Sequence, residues 1–357
     1  MDNQVVTYCN FSTDKLLIYN RYVGYINRDK VKENSLKNLD CNRTKGVLSA
    51  ASKKRIRKII SLWCQSIDIK KKVSRKNNDW KKLQMTFLTL TLPSQQLESD
   101  KENKRNLLNR FLIQIQRESG LSAYLWCAEK QMNGNIHYHI VCNTTIKWTL
   151  IRRIWNDILD DNGYIENYRQ NQIHFHKNGF NVRTDLLKYW NEEKQFEAYK
   201  KGVENNWSDP NSTDIHSLEK IDNPSAYMTK YMTKSIDEEM KDLYKVWEDA
   251  GLTLAEMDVE KWKVINEKYK HLLIEGKIWG CSKNLQNLSQ YCSAIDSTIE
   301  DVMIETINRD SRNKWENLHC VVVKNINLNE VKNRSPVHYN LLIKTSIENY
   351  NIIYTLK

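Results

Sequence analysis

Apolar positions along the chain recur with two periods, and each period predicts one kind of secondary structure. The helical period over residues 104–117 places five apolar side chains on one stripe: Leu107, Leu108, Phe111, Leu112 and Ile115. Alternating or continuous apolar runs predict strands at residues 84–92, 122–129 and 136–143. After Asn223-Pro224 a long helix is predicted, because asparagine is a good N-cap and proline a good first helical residue.

The order of these elements predicts the fold class. Residues 149–160 form a further amphipathic pattern, and a polar stretch to about residue 184 leads to a predicted helix over 186–202 and a strand over 213–221. Strands are also predicted at 319–326 and 338–344. This order favours an α+β fold. We expect a central antiparallel sheet of about five strands with flanking helices, and helical and strand additions at both termini.

The chain divides by pattern into three predicted parts. Residues 1–80 form a basic N-terminal extension, residues 81–285 a central domain, and residues 286–357 a region in which no motif is recognisable. The extension contains a helical pattern in which five basic residues between positions 53 and 58 surround an apolar stripe. A phosphate-contacting arm and a solvated helix face both fit that pattern.

Charge and cysteine usage narrow the class of partner. The 55 Lys and Arg exceed the 44 Asp and Glu, and the net charge of +11 favours a polyanionic partner. The eight cysteines form no Cys-x-x-Cys pair, which argues against a zinc finger. No apolar run approaches the roughly 20 residues that span a bilayer, and no signal-peptide pattern begins the chain. A cytoplasmic protein without a membrane partner is therefore expected.

A candidate metal site lies in the predicted strand at residues 136–143. Strand alternation puts His137 and His139 on one face, and Glu129 on the preceding strand supplies a natural third ligand. Two nitrogens and a carboxylate suit Mn²⁺ better than Mg²⁺, and either ion is expected. The competing interpretation is a pair of surface histidines without a metal.

The length of the connecting loop decides whether these ligands meet. A two-residue loop at Asn133-Gly134 would pair Glu129 with Tyr138, on the wrong face. A three-residue loop over 133–135 would pair Glu129 with His139, so an odd-length loop is predicted, with Gly134 at positive φ.

A second set of residues repeats the same spacing. Glu166, His174 and His176 are eight and ten residues apart, as in the first set, but the segment between them is polar and has no turn dipeptide. The first set is therefore preferred.

Two tyrosines one helical turn apart form the candidate nucleophiles. The segment at 227–234 is a tandem Tyr-x-x-Lys that places Tyr227 and Tyr231 about 40° apart around a helix. Lys230 and Lys234 form an adjacent stripe that would favour the phenolate and stabilise negative charge at phosphorus. Taken alone, the segment also fits an amphipathic helix with packing tyrosines.

Together these residues resemble the HUH endonuclease superfamily, specifically its two-tyrosine rolling-circle replication initiators. Residues 87–91 resemble the first family motif, Glu129 with His137-Tyr138-His139 the metal motif, and Tyr227 with Tyr231 the nucleophile motif. The resemblance covers roughly residues 80–240 and is greatest to initiators of small single-stranded DNA bacteriophages of the microvirus type.

The resemblance implies an enzyme that nicks single-stranded DNA at an origin. One tyrosine would form a 5′-phosphotyrosine link and leave a 3′-OH that primes synthesis. The second tyrosine would cut the regenerated origin, and the freed 3′-OH would close the displaced strand into a circle. Because the chain has no GxxxxGK[ST] motor motif, a host helicase and a DNA polymerase are the expected partners, in the cytoplasm of a bacterial host.

Three other functions stay open. An HUH transposase or plasmid initiator would use the same chemistry, although larger two-tyrosine transposases usually carry a cysteine-rich zinc module. A non-catalytic origin-DNA-binding protein would use the basic segments alone. That protein would form no covalent DNA adduct.

Overall fold

The computed structural model describes residues 4–12, 15–23, 46–73, 85–217, 224–232, 241–317 and 320–354. The strands are β1 (Gln4–Phe11), β2 (Lys15–Val23), β3 (Thr86–Leu90), β4 (Tyr124–Lys130), β5 (Ile136–Cys142), β6 (Thr213–Ser217), β7 (Trp279–Cys281), β8 (Cys292–Ala294), β9 (Lys314–Glu316) and β10 (Cys320–Lys324). The helices are α1 (Ala50–Val73), α2 (Asp100–Asn103), α3 (Asn109–Ser119), α4 (Trp148–Asp161), α5 (Tyr164–Phe175), α6 (Glu192–Glu204), α7 (Pro224–Met232), α8 (Lys241–Asp249), α9 (Leu254–Lys268), α10 (Ser297–Arg309), α11 (Leu328–Arg334) and α12 (Pro336–Tyr354). A π-helical turn, Lys104–Leu108, joins α2 to α3.

Contacts divide the chain into two compact units. The central unit comprises the described residues of Thr44–Lys53 and Gln84–Cys281, and the terminal unit those of Met1–Arg43, Lys54–Leu83 and Ser282–Lys357. The division into three parts at residues 80 and 285 stays a prediction about sequence segments. In space, described residues from its first and last parts belong to the same unit.

The central unit is built on a five-stranded antiparallel sheet in the order β6-β3-β5-β4-β7. One face is covered by α3, α4 and the π-helical turn, whose apolar side chains form the main core together with buried strand residues such as Leu88, Tyr138 and Ile140. The rings of Tyr138 and Trp155 meet edge to face there, with centroids 6.3 Å apart. The predicted α+β class, with a central antiparallel sheet and flanking helices, is confirmed.

The opposite face of this sheet carries the candidate chemistry, because side chains alternate along a strand. His137 and His139 flank Tyr138, and they point away from the helix-covered core in which Tyr138 is buried. We call this second side, defined by Glu129, His137 and His139, the ligand face.

The β4–β5 hairpin has a three-residue loop, Met132-Asn133-Gly134. The backbone N–H of Gln131 donates to the carbonyl of Asn135 at 2.8 Å, and Gly134 has φ +83°. The prediction of an odd-length loop with a left-handed glycine is confirmed. The predicted loop position is wrong by one residue: Glu129 pairs with His137, not with His139. A shift of two in register keeps every side chain on its face, so alternation alone could not decide between the two pairings.

Buried polar contacts fix this loop to the neighbouring helix. The Lys130 ammonium lies 2.7 Å from Asp100 at the start of α2 and donates to the Gly134 carbonyl at 2.7 Å. Both side chains of the ion pair are almost fully buried, and such a pair is costly to break by removing one partner. The pair therefore holds the turn, and with it the pairing of β4 with β5.

The terminal unit contains a second five-stranded antiparallel sheet, in the order β8-β1-β2-β10-β9. Its core includes Phe11 and Leu16 from the first hairpin and Val302 and Leu342 from α10 and α12. The strand predicted at 338–344 is wrong, because these residues lie in α12. Its buried positions recur with helical spacing, and proline occupies the first helical position.

In α1 the apolar stripe of the basic segment is buried, while Lys54, Arg55, Arg57 and Lys58 are exposed. In the described part of the chain, no helix is both long and apolar enough to cross a membrane.

Replacing Gly134 tests the constraint on the hairpin loop. A Cβ at this position would meet no atom within 4 Å, so only the positive φ opposes a side chain. We expect Gly134→Ala to lower the free energy of unfolding by about 1–2 kcal/mol, measured by urea denaturation. Gly134→Asn should lose less, because asparagine tolerates the left-handed region. Equal stability of Gly134→Ala and the parent would contradict the assignment.

Candidate active site

Three ligand atoms converge on the ligand face of the central sheet. Glu129 Oε2 lies 3.2 Å from His137 Nε2 and 3.0 Å from His139 Nε2. The two imidazole rings are 4.6 Å apart. The three donor atoms lie within 4.8 Å of one another, and among the described residues this is the one group of that kind that could hold a metal ion. The exposed fractions of the Glu129, His137 and His139 side chains are 19%, 14% and 6%, so the cluster is only partly accessible.

The strand pairing explains why these three side chains meet. Glu129 lies directly opposite His137, and His139 is the diagonal neighbour on the same face. The third strand, β3, pairs Thr89 with His139, and the Thr89 hydroxyl lies 3.1 Å from His139 Nδ1. A contact at the second ring nitrogen is what orients a metal-binding imidazole. It leaves Nε2 directed at the other two donors, so the residues present fit a divalent cation.

The second predicted set does not form a site. Glu166 and His174 lie on α5, where Glu166 instead bonds Arg169 at 2.5 Å. His176 follows the helix and stacks on Trp207, with ring centroids 5.3 Å apart. The structure therefore brings together the preferred set, Glu129, His137 and His139, and does not bring together the second set.

The tyrosine-bearing helix α7 packs on the same face as the metal cluster. The Tyr227 and Tyr231 rings are 4.9 Å apart, and both contact Phe87 of β3, at 5.7 and 5.6 Å. The Tyr231 ring lies 5.8 Å from that of His139. Both phenols thus lie in one site with the cluster.

The two tyrosines have different surroundings. Only Tyr231 has a described ring contact with a residue of the metal cluster, whereas Tyr227 lies 6.5 Å from the ring of His216 on β6. Burial raises the pKa of Tyr227 above its ordinary value, and the neighbouring Tyr231 and Asp214 add to this effect. Since a phenol must lose its proton to attack, this raised pKa means that Tyr227 needs a proton acceptor.

The structure describes only one of the two predicted lysines. Lys230 is exposed and places its ammonium 5.6 Å from the centre of the Tyr231 ring, as a cation–π contact. Lys234 lies outside the described residues. The role of both in stabilising phosphate charge stays a prediction.

Asp214 and His216 were missed from the sequence. His216 Nε2 lies 2.8 Å from Asp214 Oδ2, and β6 pairs these residues with Thr89 and Phe87. The pair is therefore an acid–imidazole couple beside Tyr227. The spacing Asp-x-His within a short strand was the available signal, but its position beside β3 depends on a pairing across more than 120 residues of sequence.

Comparison with known proteins adds one finding. Residues 85–236 match the family model described as Replication-associated protein, of the ORF2 type. No curated protein and no solved structure matches the chain. The matched segment contains the metal cluster and both tyrosines. It supports a replication-associated protein and suggests a role in the initiation of replication.

Titration with Mn²⁺ tests the metal cluster directly. We expect His137→Ala to weaken Mn²⁺ binding by at least about 10-fold, because one of three protein ligands is lost. Calorimetry or Mn²⁺ electron paramagnetic resonance measures this. His174→Ala is the matched control, since it removes a histidine of the second set and should leave the affinity unchanged. Equal affinities for His137→Ala and the parent would remove the assignment.

Proposed function

We propose that this replication-associated protein initiates rolling-circle replication by nicking single-stranded origin DNA through tyrosine transesterification. The observation that carries the proposal is the 5.8 Å between the rings of Tyr231 and His139, with Tyr227 one helical turn away. A nucleophile pair beside a Glu-His-His cluster supports a likeness in chemistry to the two-tyrosine HUH initiators, and among these we propose those of the microvirus type.

The first step exchanges one ester for another. The phenolic oxygen attacks phosphorus, the bond from phosphorus to the 3′ oxygen breaks, and the leaving oxygen gains a proton to become a 3′-OH. The phenolic proton passes to a nearby base or water. A Mg²⁺ or Mn²⁺ ion held by Glu129, His137 and His139 supplies positive charge to the scissile phosphate when bound. The phosphodiester energy is retained in the 5′-phosphotyrosine, so joining needs no nucleotide cofactor.

The surroundings of the tyrosines favour an order of attack. Tyr231 contacts the His139 ring, and Lys230 adds a cation beside the same phenol. We therefore assign the first attack to Tyr231. Tyr227 would cut the regenerated origin after one round of copying, and the freed 3′-OH would then attack the Tyr231 linkage and close the circle.

The couple of Asp214 and His216 gives Tyr227 a proton acceptor. Its imidazole is held by the Asp214 carboxylate and lies beside the Tyr227 ring. Because the pKa of Tyr227 is raised by burial, a positioned base is needed for this phenol to attack.

The proposed partners follow from this chemistry. The 3′-OH is a primer for a host DNA polymerase, and a host helicase would separate the strands ahead of it. We propose that this takes place in the cytoplasm of a bacterial host.

Tyrosine variants test the nucleophiles. In 3′-labelled single-stranded DNA with the origin sequence, Tyr231→Phe should lower covalent adduct formation far more than Tyr227→Phe, because Tyr231 lies nearer the cluster. The double variant should form none, and chelation should abolish the adduct in the parent. Denaturing gel electrophoresis measures the protein–DNA band. A band that survives the double change would exclude these nucleophiles, and an equal effect of the single changes would reject the proposed order.

His216→Ala tests the proton acceptor separately for each tyrosine. In a Tyr231→Phe background, where cleavage depends on Tyr227, the rate should fall by roughly 10²-fold, but in a Tyr227→Phe background by less than about threefold. Single-turnover cleavage measures both rates. A similar fall in the two backgrounds would indicate a general structural effect and would argue against a base serving Tyr227.

A further inference from the structure

A cavity of about 1080 Å³ lies in the helical segment between β5 and β6. It is lined by residues of α5, of α6, of the segment that joins them and of the loop that follows α6, together with Arg152 of α4. This volume suits a ligand larger than a single amino acid side chain. The metal cluster and the tyrosines are not among its lining residues, so it is separate from the candidate active site.

The walls of the cavity are rich in aromatic rings with parallel faces. His176 stacks on Trp207 with planes 6° apart, and it stacks on Phe180 with planes 13° apart. The Tyr199 ring lies within 6.1 Å of each of these three rings. At the cavity wall Trp190 remains 44% exposed, which is unusual for so large an apolar side chain. Flat aromatic rings are the surfaces on which nucleobases stack, and Trp190 is the exposed ring here.

The backbone at Trp207 is strained. Asn206 and Trp207 both have positive φ, 51° and 55°, in a region that residues other than glycine rarely adopt. The Trp207 ring lies directly over Gly202, where a Cβ would collide with it. Arg169 Nε donates to the Asn206 carbonyl at 2.9 Å. Such strain persists where the surroundings enforce it, and it concentrates at functional sites.

Amides are prominent among the polar side chains that line the cavity. Six of the side chains that line it are amides: Asn171, Gln172, Asn181, Gln195, Asn205 and Asn211. Amides both donate and accept hydrogen bonds, as the edges of nucleobases require. Of the four cations that line the cavity, Arg152 and Arg183 are paired with Asp209 and Asp185, and the other two are Lys194 and Lys201.

The charge of the segment that forms the cavity also favours an uncharged, flat ligand. Residues 164–211 contain seven Lys or Arg and seven Asp or Glu, although the whole chain carries +11. This balance disfavours recognition of a free polyphosphate or an anionic surface, and it favours an uncharged, flat group.

We propose that this cavity binds unpaired bases of the single-stranded origin and so contributes to the choice of cleavage position; this rests on the proposed function. Asn211 lines the cavity, and His216 beside Tyr227 follows five residues later on β6, at most about 17 Å along the strand. Bases bound here lie a few nucleotides from the phosphate that is cut.

Binding without cleavage tests the cavity independently of the chemistry. The probes are a fluorescein-labelled dT 20-mer and a 20-mer of abasic sites, which keeps the phosphates but has no bases. Anisotropy is measured in EDTA with the full chain carrying Tyr227→Phe and Tyr231→Phe. Trp190→Ala should weaken binding of the dT probe by roughly 5- to 100-fold and leave the abasic probe unchanged. Trp148→Ala is the control, because Trp148 is 60% exposed but lies outside the cavity.

Cross-linking gives a second measurement that does not depend on a cavity variant. With 5-iodouracil in the oligonucleotide, irradiation should attach the DNA to Trp207, Tyr199 or Phe180, located by mass spectrometry of the peptides. Equal weakening of both probes by Trp190→Ala, no weakening of either, or cross-links only outside the cavity would overturn the proposal. Base-dependent binding in a parent protein that never forms an adduct would instead overturn the proposed nicking activity and leave the cavity assignment standing.

Discussion

The candidate site depends on one backbone constraint, the pairing of β4 with β5 through a three-residue loop. An odd loop puts Glu129 and both histidines on the same side of the sheet, whereas a slip by one residue would turn the histidines into the helix-covered core. The Lys130 ammonium closes the turn by bonding the Gly134 carbonyl, and Asp100 compensates its buried charge. The ligand set is thus positioned by contacts on the opposite side of the hairpin.

Two strands outside the hairpin, β3 and β6, complete the site. β3 precedes the hairpin and supplies Thr89, which orients His139, and Phe87, which contacts both tyrosines. β6 follows it and adds His216 with its acidic partner. The antiparallel sheet and α7 therefore bring together a metal cluster, a nucleophile pair and a proposed base, although these are spread over about a third of the chain.

Much of this could be predicted from local pattern. Period-two alternation, the asparagine-glycine turn and the four-residue spacing of the tyrosines each depend on neighbours in sequence, and the structure brings those residues together. The register was wrong by two because every even shift preserves the faces. The couple at Asp214 was missed because it depends on a distant strand pairing, which local periodicity does not encode.

The helical segment at residues 164–204 was predicted less well from local pattern. α5 was predicted as part of a polar stretch, because only two of its residues, Tyr164 and Ile165, are buried. α6 was predicted to begin at residue 186, but the Asn191 side chain caps it, accepting from the Lys194 backbone N–H. Both helices present aromatic rings to a cavity instead of a solid core, so the usual apolar stripe is weak.

The tandem sequence of α7 has a geometric consequence for a reaction that needs two nucleophiles in turn. Each tyrosine is followed by a methionine, and both Met228 and Met232 are fully buried beneath the helix. Methionine is unbranched and adapts its shape to its neighbours. A slide of the helix by four residues, about 6 Å along its axis, would bring Tyr227 and Met228 to the positions that Tyr231 and Met232 hold. The position that Tyr231 holds could therefore accept either phenol without a change in the chemistry of its contacts.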